Sequence, residues 1–470
     1  MKSESEMISF FPIFNRVGHF VAFVHSPFDV NKIEEKIADA VENKHYYLDC
    51  ICFVDCDITV PLKSGIPCKQ ISAAEEKSIC SRNFIPLWIS DENIFNNVLN
   101  HTHTNEMPRS AEIVPSMLCC FSCNECAYKE VKQYYHLWRN NQHTNTEAAA
   151  LQQNGHIVTK MSVHTAETVI KKLADAGVKE VAVTGGGDPL CNIPATLCCL
   201  KEAKKYGMDT GIYTNGYFLD RCAKELLKTK PNFIRISVYG VNPSAFSKYT
   251  QKEAKNYEKI IENIEQLVKM RDAMKSETRI LLSMLVTPEL TGQPEEFFNF
   301  LKYFDSNTLN SLDGIRLTPL IHYENKNQQI SKEYLNTFFD AVDERKVTCP
   351  TPPIVIFRHR LQLYEEKKYK GCEGSHLYAE VGPDGGMYFC CEHNLKPSFC
   401  IGNLMTESVE EIWKRQTEHR KCINTAQCPA VCKPHEYNNF IYQVACFPDE
   451  TGIRNWRDML KNTKAIGRMA

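Results

Sequence analysis

A surplus of charge of either sign is missing from this sequence. Its 470 residues carry 55 basic against 57 acidic side chains, a net charge of -2, which removes the global electrostatic case for nucleic acid or an anionic membrane as partner. Long hydrophobic runs are missing too. No segment approaches the ~20 consecutive apolar residues of a membrane span, and the N-terminal MKSESEMISFF has no basic stretch leading into an apolar one. Nor is there a low-complexity tract. These absences point to a cytoplasmic protein, and the length suggests about three domains.

Cysteine, by contrast, is abundant: there are 22. A reducing compartment does not keep them as disulfides, so they are metal ligands, catalytic thiols or small core residues. In LDCICFVDCDITV, Cys50, Cys52 and Cys56 alternate with Val54 at period two, as on one strand face, and core packing is expected for them. Cys198, Cys199 and Cys222 lie in helix-like runs and are expected to pack as well. The stretch MLCCFSCNECAY differs, since no strand or helix period accounts for Cys119, Cys120, Cys123 and Cys126 together. Thiolates at Cys-x3-Cys-x2-Cys on a loop can converge and leave one iron of a four-iron cluster open. Zinc would want a fourth protein ligand.

An alternation of strands and helices begins at this run. AEIVPSML leads into the cysteines; TAETVIKKLADAG reads as a helix with Thr165 as N-cap and Gly177 as stop. Strands EVAV, TGIYT, FIRISVYG, RILLSMLV and GIRLTPLI then alternate with helical stretches. Six strands joined by helices imply an α/β fold with a parallel sheet, curved into a barrel-like form, whose chemistry sits at the C-terminal strand ends. The first strand ends in the cysteine loop and the second in VTGGGDPL, where three glycines permit close backbone approach and Asp188 adds a carboxylate. The third and fourth end in YTNG and ISVYG.

Taken together, these residues resemble the radical S-adenosylmethionine (radical SAM) superfamily, with its Cys-x3-Cys-x2-Cys loop and GGE-type turn. The resemblance covers roughly residues 109–325. It implies a partial (β/α)6 TIM-like barrel in which Cys119, Cys123 and Cys126 ligate a [4Fe-4S] cluster. It also implies that Gly186, Gly187 and Asp188 face the amino group of SAM and that Ser237 faces its ribose or carboxylate region. Cys120 would be a bystander, although Cys120, Cys123 and Cys126 form a competing frame. Glu125 stands where the family often has an aromatic residue that contacts adenine.

A second cysteine constellation follows. Cys372, Gly385 and Cys390 precede GNLMTESVEEIW, Cys422-x5-Cys428-x3-Cys432 and Cys446. This order resembles the SPASM and Twitch extensions of radical SAM enzymes, which hold auxiliary iron-sulfur clusters; a zinc ribbon is the alternative that spacing alone allows. His419 occupies the first cysteine position of the full SPASM motif. Either His419, Cys422, Cys428 and Cys446 hold one cluster and Cys372, Cys390 and Cys432 another, or one auxiliary cluster uses Cys372, Cys390 and two members of the 422–432 group. Cys391 and Cys400 are spare candidates.

The expected domains are an N-terminal α/β extension (1–108), a radical SAM core (109–330), a connecting segment (331–370), the auxiliary cluster domain (371–448) and a tail (449–470). The N-terminal segments GHFVAFVH, DVNKIEEKIADAVENKH and YLDCICFVDCDITV read as strand, helix and strand, with Asp55 and Asp57 in a solvated turn. Residues 136–156 read as a polar excursion near the site. The resemblance implies reductive cleavage of SAM to a 5'-deoxyadenosyl radical that abstracts hydrogen from a substrate C-H bond. It further implies a flavodoxin- or ferredoxin-type electron donor and either a peptide substrate or a sugar, aminoglycoside or nucleoside. The non-enzymatic alternative is a zinc-stabilised binding module. No general acid or base stands out: Tyr239, Cys191, Glu380 and Asp384 lie near strand ends or turns and read as structural.

Overall fold

The computed structural model describes residues 8–12, 19–56, 66–73, 76, 92–100, 107–129, 131, 158–320, 330–345, 352–356, 367–369, 371–393, 395–421, 423, 425, 428, 432–446 and 449–462. The chain divides into two compact units, one of residues 1–105 with 436–469 and one of residues 106–435.

The first unit holds a four-stranded sheet in the order β1 (Ile8–Pro12), β2 (His19–His25), β3 (Tyr47–Val54), β4 (Cys68–Ile71), with β1 antiparallel and the others parallel. Helix α1 (Val30–Glu42) crosses from β2 to β3, and the Asp29 side chain caps it by accepting the N-H groups of Asn31 and Lys32. Ile33 and Ile37, one helical turn apart, pack on Ala22, Val24, Ile51 and Phe53. Cys50, Cys52 and Val54 pack with Phe23 and Ile71 in a separate cluster, and Cys52 is fully buried. Cys56 lies past the strand end and packs with the Ile33 cluster instead, because the period-two pattern stops with the strand at Val54. Residues 450–462, expected within a tail, form a helix that fully buries Trp456, stacked on Phe440 at 6.2 Å. Arg457 of that helix pairs with Glu92, at the start of α2 (Glu92–Leu99), at 2.8 Å.

The second unit is built on a ten-stranded sheet. The six expected strands are β5 (Ser110–Ile113), β6 (Glu180–Val183), β7 (Asp209–Thr214), β8 (Phe233–Val238), β9 (Arg279–Val286) and β10 (Gly314–Pro319), each parallel to the next. Two more parallel strands extend the edges: β11 (Ile354–Ile356) beside β10, and β12 (Tyr378–Val381) beside β5. The antiparallel strands β13 (Gly386–Tyr388) and β14 (Cys400–Asn403) follow β12. The three residues of β11 are too few for a readable alternation, whereas β12 and β13 are the two short strands that the glycine turn of PDGGMYFCC leads one to expect.

Helices α3 (Val163–Asp175), α4 (Ile193–Lys205), α5 (Ala223–Lys228), α6 (Pro243–Thr250), α7 (Lys255–Ala273), α8 (Pro294–Phe300), α9 (Ser306–Ser311) and α10 (Lys332–Arg345) lie between or after these strands. The cap of α3 is Ser162, three residues before the expected Thr165: its hydroxyl accepts the Thr165 N-H at 2.9 Å. Ile234 and Ile236 of β8, Ile280 and Leu282 of β9, and Ile315 and Leu317 of β10 share one core with Leu226, Ile264 and Phe338 of the helices. The alternate residues Arg235, Ser237, Ser283 and Arg316 are half-buried and point to the other face. That face is mixed, with Phe233, Leu281 and Leu285 beside these polar residues, as ligand sites commonly are. Among the described residues no helix is long and apolar enough to cross a membrane.

Trp456→Ala should cost about 3–5 kcal/mol of stability, the usual loss for emptying a buried aromatic site. Denaturant titration of the full chain measures it.

Candidate functional site

β5 and β6 are hydrogen-bonded neighbours, so the loops at their C-terminal ends lie side by side. The Gly187 N-H donates to the Ser116 carbonyl at 3.1 Å and the Asp188 N-H to the Leu118 carbonyl at 2.8 Å. A Cβ on Gly187 would stand 1.9 Å from the Leu118 carbonyl oxygen, and one on Gly186 would stand 2.2 Å from the Met117 sulfur. Neither glycine has positive φ, so these positions require the absence of a side chain rather than a left-handed backbone. The close approach inferred from the glycine run is therefore met by the cysteine loop itself.

Asp188 is 2% exposed. Its carboxylate accepts the Thr214 hydroxyl at 2.9 Å, the Asn215 N-H at 2.7 Å and the Leu190 N-H at 2.9 Å. Burial raises its pKa, and these bonds oppose the rise. The acid thus ties the end of β6 to the end of β7. Ser237 lies on the open face of β8, where its hydroxyl bonds Tyr239.

The cysteine loop is held from its far side by α6. Ser122 and Asn124 donate backbone N-H groups to the carbonyls of Thr250 and Tyr249, both at 3.0 Å. Cys119, Cys123 and Cys126 are half-buried and not in disulfides. The Phe121 N-H reaches Cys119 Sγ at 3.4 Å, and the Asn215 side-chain amide reaches the sulfurs of Cys119 and Cys120 at 3.6 and 3.5 Å. The Cys120 thiol is pushed up in pKa, first by a hydrogen bond with Cys119 and then by burial. Cys191 lies beside this group; burial and then the Asp188 charge push its thiol up to about 12. Among the described residues no three ligand-type side chains converge on a single-ion site. A four-iron cube takes its thiolates at separate irons, and this all-sulfur loop fits such a group.

The position occupied by Glu125 has aromatic neighbours from elsewhere. Tyr249 bonds the Glu125 backbone and stacks with Tyr239 at 5.4 Å and 25°. Burial and then the Cys123 charge raise both phenols. Tyr249 carries no sequence signal, because only the folded α6 brings it to the loop. Asn215 had a signal, its place at a strand end in YTNG.

Of the second constellation, Cys372 and Cys390 are buried while Cys428 and Cys432 are half-buried. Burial raises Cys390, and the charges of Cys372, Glu392 and Cys432 add to the rise; Cys432 is raised by burial, then by Glu392, Cys372 and Cys428. Cys390 thus has Cys372 and Cys432 as electrostatic neighbours, and Cys432 has Cys372 and Cys428. Cys422 lies outside the described residues, as do Asp57 and residues 136–156. Cys446 is exposed in the first unit, bonded to Tyr442. His419 stacks on Phe389 at 5.6 Å and 25°. Cys400 lies on β14 with its thiol 3.5 Å from the Gly402 carbonyl, and residue 391 opens a short turn. Asp384 caps the turn before β13 by accepting the Gly386 N-H at 2.9 Å, and Asp55 accepts the Ala73 N-H at 3.2 Å.

Glu380 connects the two cysteine regions. It is fully buried on β12, in register with Glu112 of β5. One oxygen accepts the hydroxyl of Tyr128, two residues past Cys126, at 2.6 Å, and the other accepts the Leu395 N-H at 3.0 Å. Burial holds its pKa well above the ordinary carboxylate value, with the Tyr128 bond opposing and the Glu112 charge adding. Glu112 in turn pairs with Lys433, next to Cys432.

Two outcomes follow from this geometry. Gly187→Ala should force the glycine turn and the cysteine loop apart, cost about 1–3 kcal/mol by overpacking, and lower the iron retained after reconstitution. For Glu380, the raised pKa makes its contribution to stability complete below the unfolded value near 4.5 and progressively lost as pH rises toward the folded value. Glu380→Gln should flatten that slope, read as the denaturant midpoint from about pH 5 to about pH 8.

Residues 113–301 match the radical SAM superfamily, and residues 372–434 match SPASM, an iron-sulfur cluster-binding domain. The GTP 3',8-cyclase of Aliarcobacter butzleri (strain RM4018) is 33% identical over 103 residues, 22% of this chain and 31% of that protein. The match therefore spans less than a third of that relative's length. Streptococcus suis SuiB bound to precursor peptide SuiA is 13% identical, covering 82% of this chain and 76% of that one, with a TM-score of 0.46. Polyhistidine-tagged anSMEcpe with bound AdoMet is 16% identical, covering 76% and 98%, with a TM-score of 0.45. Cys119 to Cys126 fall in the first match and Cys372 to Cys432 in the second, and the zinc-stabilised binding module gives way: the chain carries a radical SAM domain followed by a C-terminal SPASM domain, the pair found in radical SAM enzymes, with SAM and [4Fe-4S] clusters as cofactors.

Proposed function

We propose that Cys119, Cys123 and Cys126 hold the SAM-binding cluster and that the enzyme abstracts hydrogen from a C-H bond of a peptide, in natural-product biosynthesis. When bound, cluster and SAM supply a 5'-deoxyadenosyl radical. The observation that carries the site is the cysteine loop hydrogen-bonded along the glycine turn at the strand ends. The chain's part is to fix that loop, to present the mixed face of β8 to β10, with half-buried Arg235, Ser237, Ser283 and Arg316, to the substrate, and to hold the target carbon in place. A flavodoxin- or ferredoxin-type donor supplies the electron. The peptide class rests on the resemblance to SPASM-type enzymes, which often modify ribosomally made peptides, an association at the level of the family.

One auxiliary cluster, on Cys372, Cys390, Cys428 and Cys432, is the assignment that the neighbourhood of these thiols supports, with Cys372 and Cys432 beside Cys390 and Cys428 beside Cys432. A second reading of the substrate, a nucleotide or sugar, is favoured by the 103-residue likeness to a GTP 3',8-cyclase.

Anaerobically reconstituted protein should hold about eight irons per chain, two four-iron clusters. Reduced and given SAM, it should form 5'-deoxyadenosine, and Cys123→Ala should abolish that product. Cys390→Ala should keep part of it while losing productive turnover; normal turnover would remove the auxiliary site from the mechanism. Stimulation of 5'-deoxyadenosine formation by nucleotides and not by peptides would transfer the proposal to the second substrate class.

A further inference from the structure

Asn215 follows directly on β7 and is 5% exposed. Its backbone N-H donates to the Asp188 carboxylate at 2.7 Å, and its side-chain Oδ1 accepts the Tyr217 N-H at 3.0 Å. The second bond fixes the orientation of the amide, since a backbone N-H must meet the oxygen and not the NH2 group. Nδ2 then faces the cysteine loop, 3.6 Å from Cys119 Sγ and 3.5 Å from Cys120 Sγ. Asn215 is thus the link through which the buried acid of the glycine turn reaches a cysteine sulfur.

We propose that Asn215 is a positioning residue for the SAM-binding cluster, whose N-H···S hydrogen bond to Cys119 raises the reduction potential of that cluster. An electron entering an iron-sulfur cluster adds negative charge to its ligand sulfurs. A donor aimed at such a sulfur stabilises the reduced form more than the oxidised one. Asp188 acts one step back. By holding the Asn215 N-H and the Thr214 hydroxyl, it keeps the amide at a fixed distance from the loop. The inference rests on Cys119 as ligand, as proposed above, and is independent of which substrate the enzyme takes.

The test is a redox titration of the anaerobically reconstituted full chain, followed by EPR of the component whose signal changes on addition of SAM. Asn215→Leu removes the donor at similar size, and Asn215→Asp keeps an acceptor for the Tyr217 N-H but cannot donate. In both, the ratio of reduced to oxidised cluster at the wild-type midpoint should fall about tenfold, equivalent to a midpoint about 59 mV lower for a one-electron couple. Wild-type midpoints in both variants would overturn the proposal. So would loss of the SAM-responsive signal in both, which would make Asn215 a prop for the loop's fold. Cys119→Ala should abolish this signal and Cys120→Ala should keep it; the reverse pattern overturns the ligand assignment beneath the proposal, whatever the substrate proves to be.

Discussion

The contact between Gly187 and Leu118 is the constraint on which the site depends. Two loops from neighbouring strands meet backbone to backbone, closed by the Gly187 and Asp188 N-H groups on the Ser116 and Leu118 carbonyls. The strands that carry them pack on the helical core on one side and are hydrogen-bonded to neighbours on both edges. If Cys119, Cys123 and Cys126 share one cluster, as proposed above, the loop cannot wander, because misplacing one sulfur loses the geometry of all three. The glycine turn supplies one wall and α6 the other, through the Tyr249 and Thr250 carbonyls. Asp188 extends the same restraint to β7, so three strand ends and one helix end define where the cysteines stand.

Much of this was legible in the residues, and the boundary of legibility has physical reasons. β5 to β10 announce themselves because each has one face in the helical core, giving apolar runs bounded by helices of the right period. β11 does not, since three residues hold no pattern; the β12–β13 hairpin shows through its glycine turn in PDGGMYFCC, but not its pairing with β5, which nothing local in the sequence records. The cap at Ser162 competed with Thr165 on equal chemical terms, and only the hydrogen bond from the Thr165 N-H decides between them. The glycine run signalled close approach, yet the sequence could not say what approaches; the answer lies some 70 residues earlier in the chain, at Leu118. Likewise, nothing local relates residues 436–469 to the first hundred; only the folded unit brings Arg457 onto Glu92.

Buried acids form a second theme. Asp188 and Glu380 are both withdrawn from water, and both have raised pKa values caused first by that withdrawal. Each is satisfied by hydrogen bonds from main-chain N-H groups and a hydroxyl, which offsets part of the desolvation cost. Asp188 braces the loop of the first cysteine region from β7. Glu380 receives the hydroxyl of Tyr128, just beyond the same loop, from within the second region. Their shared property is to join segments far apart in sequence at low cost in space.

The parallel pairing of β12 with β5 has one more consequence. The SPASM region does not hang from the core by a tether; its first strand is a rung of the same hydrogen-bonded ladder. Recombination that exchanged this region between enzymes at residue 371 would leave the β5 edge with a foreign strand to match, including a partner for Tyr128 and a register opposite Glu112. Inheritance of the two cysteine regions is therefore coupled by backbone geometry, and the seam along which such enzymes can be shuffled lies inside the sheet rather than in the connecting chain.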